Sequence, residues 1–296
     1  MQPILYIIDS TTGIVKQIQC QGGDNAGFKK IAVCKSAISG DYTVFLTSIN
    51  NVVFFGAVDM NSSSLYFMSS LGESTIVIPY GKNALSLTQQ GRLMANNSEG
   101  DVINFNKELG SINLDMNLTN ISDVRIFGNG IVAIKGVDSS TAIETYHIYD
   151  MISGVRKFFQ DTTDENMTYT IDTIVATGFY KDNLIIYSDQ GMFYTIPKGS
   201  FYNPLSTMEA TTEDENMINV RSYIISANPM GISTSDAIIE IIGDYLILIG
   251  GAEAAICSSN IEPKMVQLGG SICKAFDGGN GIYFITENQC LMAEYE

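Results

Sequence analysis

A hairpin recurs six times along this chain. Each copy opens with an apolar strand near Phe28, Ile76, Val124, Ile171, Ile238 or Ile272, turns within a few residues and returns as a second apolar strand. The steps between copies are 48, 48, 47, 67 and 34 residues. The long step marks an insertion, the short one a trimmed unit. A hairpin cannot bury its apolar faces alone, so copies spaced by roughly 40–50 residues must stack on one another, and that period is the signature of a β-propeller. The expected fold is all-β: a six-bladed β-propeller, with seven blades as the alternative, built by residues 1–296 as one domain.

The strands inside a unit follow from runs of Ile, Val, Tyr and Phe punctuated by Gly, Asn, Asp and Ser. With the strands of a blade labelled A to D from the axis outward, residues 41–48, 51–58 and 64–70 are expected as B, C and D of one unit. The next unit is 75–80, 83–88, 91–96 and 101–106, and the third is 123–128, 130–135, 143–149 and 154–159. Two turns repeat. Leu87-Thr88-Gln89-Gln90-Gly91 returns as Tyr187-Ser188-Asp189-Gln190-Gly191, and Asp9-Ser10-Thr11-Thr12-Gly13 returns as Asp150-Met151-Ile152-Ser153-Gly154. Glycine ends each because the turn asks for positive φ there. The second pair lies 141 residues apart, three periods of 47. That offset assigns the N-terminal hairpin to the blade whose inner strands are 271–277 and 281–286. A ring closed by strands from both termini leaves no free edge. Residues 289–296 also read as a strand C and compete with residues 4–8 for the same slot.

Composition narrows the functional classes. Hydrophobic residues make up 45% and charged ones 16%, as in a packed β protein and unlike a disordered chain. No apolar run approaches the roughly 18 residues of a membrane span. The first residues lack the basic region and cleavage site of a signal peptide, so synthesis in a cytoplasm is expected. The net charge is −16. A nucleic-acid binder needs a basic stripe, and an acidic chain is repelled by anionic lipid. Neither nucleic acid nor membrane is therefore an expected partner, whereas a protein is. Cys20, Cys34, Cys257, Cys273 and Cys290 form no C-x-x-C and read as buried free thiols. No phosphate-cradling motif occurs, and no cofactor is expected.

Residues 76–100 resemble the RCC1-like propeller repeat. The resemblance rests on Ile76-Val77-Ile78, Gly81, Leu87-Thr88, Gly91-Arg92-Leu93 and Asn97-Ser98-Glu99-Gly100. Residues 28–56 and 171–194 match it more weakly, and the family's Gly-Gln-Leu-Gly and repeated His have no counterpart. The resemblance implies a propeller and, from that family's activity, a regulatory domain acting on a small GTPase. Propeller subunits of phage tails are similar in size and style.

Candidate chemistry is sparse. His147 is the only histidine. It is the one side chain available as an imidazole base or metal ligand, and the stronger expectation is an edge-facing polar residue between Tyr146 and Ile148. The acidic stretches 161–165 and 213–215 offer oxygen ligands without calcium-loop spacing and read as solvated loops. The insertion at 200–217 departs furthest from the repeat. It offers Phe201 and Tyr202 as aromatic anchors and Glu213, Asp214 and Glu215 as acids that steer a basic partner. The function expected is a non-enzymatic structural or adaptor propeller that makes protein contacts in a larger assembly, with a phage or viral particle as its setting. The alternatives are the GTPase regulator and a carbohydrate-binding or glycoside-cleaving propeller.

Overall fold

The computed structural model describes residues 4–8, 15–19, 28–33, 42–49, 52–59, 64–73, 76–80, 83–88, 90–96, 102–103, 111–127, 130–164, 167–202, 216–220, 232–258 and 261–294. Strands dominate. Among the described residues the one helix has five residues, and no helix is long and apolar enough to cross a membrane. By compactness the chain divides into two units, Met1–Val124 with Met151–Gly154, and Arg125–Asp150 with Val155–Glu296.

The first unit begins with an antiparallel hairpin, β1 (Ile4–Ile8) and β2 (Val15–Gln19). A four-stranded antiparallel sheet follows in chain order: β3 (Phe28–Val33), β4 (Tyr42–Ile49), β5 (Val52–Asp59) and β6 (Ser64–Glu73). The next sheet is β7 (Ile76–Tyr80), β8 (Asn83–Leu87), β9 (Arg92–Asn96) and β10 (Val102–Ile103). A short β11 (Ser111–Asn113) joins it by pairing with residues 92–94 of β9, while β10 takes residues 95–96. The outermost position of this sheet is thus shared by two short strands. Leu85, Leu87, Leu93, Ala95, Ile112 and Leu114 are buried here.

The second unit starts within β12 (Leu118–Phe127) and continues through β13 (Ile131–Asp138), β14 (Glu144–Asp150) and β15 (Arg156–Asp164) to β16 (Met167–Thr170). The following sheet is β17 (Ile174–Tyr180), β18 (Asn183–Ser188) and β19 (Phe193–Pro197), leading into α1 (Lys198–Tyr202). After the insertion, β20 (Met217–Val220) lies parallel to β15, whereas β16 pairs with β15 antiparallel. Gln160 and Asp161 have partners on both strands, so β16 and β20 take opposite edges of β15. Two further sheets complete the unit. One is β21 (Ile238–Ile242), β22 (Tyr245–Gly250), β23 (Glu253–Ser258) and β24 (Ile261–Gln267); the other is β25 (Ile272–Asp277), β26 (Gly281–Thr286) and β27 (Cys290–Glu294).

Stacking of these sheets explains the uninterrupted apolar runs. Side chains alternate between the faces of a strand, so a strand packed on both faces is apolar at every position. On β18, Leu184 and Ile186 join a core with Ile131, Ile148 and Phe159, while Ile185 and Tyr187 join another with Ile239 and Leu248. On β22, Leu246 and Leu248 belong to that second core, and Ile247 and Ile249 to a third with Ala275 and Phe284. Arg125 fastens the inner strands: its Nη1 donates to the carbonyls of Thr177 on β17 (3.1 Å) and Ile239 on β21. Gly178 allows that approach, because a Cβ there would collide with Ile239.

The strand starts agree closely with expectation. Phe28, Ile76, Ile238 and Ile272 open strands, Val124 lies inside β12, and β17 begins at Ile174 instead of Ile171. Gly91, Gly154 and Gly191 have φ of 81°, 75° and 74°, as the repeated turns require. The two B–C turns are hydrogen-bonded alike. Thr88 N donates to Arg92 O and Gly91 N to Thr88 O, and Ser188 N donates to Met192 O and Gly191 N to Ser188 O. The expected strand exchange between the termini is not among the hydrogen-bonded ladders of the described residues. β27 fills the strand-C slot, and β1–β2 stands as a two-stranded sheet of its own.

Candidate functional site

A cavity of about 400 Å³ opens in the second unit between β15–β16 and the β18–β19 turn. Its polar floor is a carboxylate–phenol pair. Asp161, near the end of β15, is buried, and its Oδ1 accepts from the backbone N–H (2.8 Å) and hydroxyl (2.6 Å) of Thr163. Its Oδ2 accepts from the Tyr194 hydroxyl of β19 at 3.2 Å. Burial first, then the charge and hydrogen bond of Asp161 and the charge of Asp189, push the Tyr194 phenol well above its usual range. Tyr194 therefore stays protonated and donating.

The walls come from two tight connections. Tyr169, Thr170, Ile171, Asp172 and Thr173 form one side, and Ser188, Asp189, Gln190 and Met192 the other. Asp189 N donates to Thr173 O at 3.3 Å, tying the walls together. Asp172 and Asp189 are exposed, and no lysine, arginine or histidine lines the cavity. On β16, Met167 and Tyr169 stand two residues apart on one face, each about half exposed, and the Tyr169 hydroxyl contacts Met167 Sδ at 3.2 Å. Tyr169 thus forms an aromatic rim to an acceptor-rich cleft.

His147 lies elsewhere and is not edge-facing. It is 1% exposed, with Nε2 2.9 Å from Asp138 Oδ2. The pair is close but lacks a well-aligned hydrogen bond. With the proton on Nε2, Nδ1 accepts from the Tyr149 hydroxyl at 3.3 Å. Burial and the Arg156 charge lower the imidazole pKa, and the Asp138 contact offsets them only in part, leaving it at about 4. Burial would raise the Asp138 carboxyl. The hydroxyl and N–H of Ser140, the N–H of Thr141 and the His147 charge outweigh that and hold it at about 2. The expectation failed because the face of β14 that carries His147 is covered as well as the Tyr146–Ile148 face. The Asp–His–Tyr group is thus shut off from solvent.

The insertion divides. Phe201 is fully buried in the core with Phe159 and Ile218, so its ring is not available to a partner. Tyr202 ends α1; Glu213, Asp214 and Glu215 lie outside the described residues. In the stretch 161–165, Asp161 turns inward to Thr163 and Tyr194. Among the described residues no three His, Cys, Asp or Glu are grouped to hold a metal ion. Cys257 is buried, and burial raises its thiol pKa to about 11. Cys290 is exposed on β27, contrary to the expectation of buried thiols. The cleft residues escaped sequence reasoning because they converge from separate strands: Asp161 and Tyr194 are 33 positions apart. The one usable signal was that aspartates recur at strand ends and turns, at Asp161, Asp172 and Asp189.

No protein-family profile and no curated protein sequence matches the chain. Among solved structures it is similar to a chain of the mitotic checkpoint complex, covering 100% of this chain and 82% of that one at 10% identity, with a TM-score of 0.59. Kluyveromyces lactis Hsv2 gives 11% identity, 90% and 80% coverage and a TM-score of 0.49. BamB from Moraxella catarrhalis gives 12% identity, 98% and 78% coverage and a TM-score of 0.44. At the first of these scores the likeness carries the fold, which is of β-propeller type.

Proposed function

We propose that the chain is a non-enzymatic adaptor or structural propeller that makes protein contacts inside a larger assembly. The observation that carries this reading is the exposed Met167–Tyr169 pair, of which Tyr169 lines the acidic cleft. A half-exposed aromatic beside a polar cleft is the composition of a contact centre, since a rigid ring adds contact area at little entropic cost. In this reading the six larger sheets are the blades of one ring, and β1–β2 closes it beside β25–β27. The assembly in view is a phage or viral particle, with the chain made in a cytoplasm, and the acids Glu213, Asp214 and Glu215 steer the partner.

The test is size-exclusion chromatography of the tagged chain from its own cells. The expected result is a complex well above 32.2 kDa with one stoichiometric protein partner, which the pair Met167→Ala and Tyr169→Ala weakens at least tenfold. Elution as a lone monomer sinks the reading. Immunogold labelling of purified particles checks the proposed setting.

A further inference from the structure

We infer that the cleft between β15–β16 and the β18–β19 turn is a receptor for a basic side chain, arginine in the first place, presented by a partner protein. This rests on the protein-contact reading above and names what the contact recognises.

The argument starts from hydrogen-bonding inventory. Carboxylate oxygens are acceptors, and those of Asp161 are already taken by Thr163 and Tyr194, so a ligand suited to Asp172 and Asp189 must be rich in donors. A sugar brings hydroxyls but no positive charge to set against the carboxylates. A guanidinium or ammonium brings donors alone. Asp172 and Asp189 make no side-chain hydrogen bond or ion pair with any described residue, and the lining holds no cation of its own.

A second observation is independent of charge. Thr173 is 8% exposed, lines the cavity, and uses its carbonyl to accept from Asp189 N. Its hydroxyl has no hydrogen-bond partner among the described residues, and the residue itself lines the cavity. A nearly buried hydroxyl left unsatisfied beside a cavity awaits a ligand or water. Shape selects among cations. The carboxylates are too dispersed to ligate one metal ion, whereas guanidinium spreads five donors over a planar fork. The Tyr169 ring at the rim supplies a face for a cation to rest on. A volume of about 400 Å³ admits one long side chain.

The probe is an acetylated, amidated Gly-Arg-Gly tripeptide, with its citrulline counterpart as a neutral isostere, titrated into the full chain and followed by amide chemical shifts. The expected result is a shift centred on Thr173 and Asp189. Binding should be at least tenfold weaker for the citrulline peptide and for the double variant Asp172→Asn, Asp189→Asn. Thr173→Val, which keeps the shape and removes the hydroxyl, should weaken binding several-fold at an unchanged melting temperature. Equal affinity for the two peptides, binding indifferent to the substitutions, or no shift near the cleft overturns the inference. If the native complex of the preceding section is nevertheless found, the scaffold reading stands and only the cleft assignment falls.

Discussion

His147 and Asp138 show how burial turns an ordinary pair into a pH-dependent brace. In an unfolded chain the imidazole titrates near 6.5 and in the fold at about 4. Between those values the unfolded chain binds the proton that the folded one refuses, so stability falls as pH drops from 6.5 towards 4. Each pKa unit is worth 1.36 kcal/mol, which makes the full effect about 3 kcal/mol. Asp138 adds to it lower down: its carboxyl is depressed from 3.8 to about 2, so its contribution is present above 3.8 and lost as pH falls to 2. Thermal melts across this range should show the first loss in the native chain and not in His147→Ala. A pH-independent melting temperature between 6.5 and 4 would contradict the buried, neutral imidazole. At pH 7, His147→Ala should cost about 2–3 kcal/mol, because it opens a cavity and removes an acceptor of the buried Tyr149 hydroxyl. Phe201→Ala, made in α1 where the ring enters the core, should cost about 3–5 kcal/mol by denaturant unfolding. A loss below about 1 kcal/mol would mean that the ring is not packed as described.

Among the elements, four of the six strand starts were legible to the residue, while Val124 falls inside β12 and β17 opens three residues after Ile171; the strands themselves were legible because one packed on both faces must be apolar throughout, as in Leu184–Tyr187 and Leu246–Ile249. The repeated turns were legible through glycine. Gly154 makes a sharp test: at φ 75° an L side chain is strained, and a Cβ there would press on the Asn113 carbonyl. Gly154→Ala should therefore destabilise by about 1–2 kcal/mol from the backbone conformation alone, and more from the clash, as read from the urea midpoint. What sequence reasoning missed is that two four-residue strands both pair with β15. Asp164-Glu165-Asn166-Met167 returns in the sequence as Asp214-Glu215-Asn216-Met217, and the two methionines open β16 and β20. The repetition was visible, but four residues are too few for a period to declare itself, and nothing local tells a strand to run parallel to one distant neighbour. The cleft went unseen for the same reason, since its walls are assembled by pairings and not by spacing.

Across the whole molecule, charge and closure are the two open levers. Thirty-two acidic against 16 basic side chains repel one another in any compact state, and salt screens that repulsion over about 8–10 Å at physiological strength. Added NaCl should therefore raise the melting temperature of the isolated chain while weakening its hold on a basic partner. Opposite signs for the two effects separate self-repulsion from recognition. Closure is tested from the N-terminus. A stack of sheets that ends in open edges leaves unpaired backbone groups, whereas a ring protects them. If β1–β2 completes the proposed ring beside β25–β27, deleting residues 1–19 exposes strand edges at both ends of the stack. The melting temperature should then fall by several degrees, and the protein should self-associate at concentrations where the full chain is monomeric. Loss of the hairpin with neither effect would mean that β1–β2 is an independent attachment and that the six sheets close, if they close, without it.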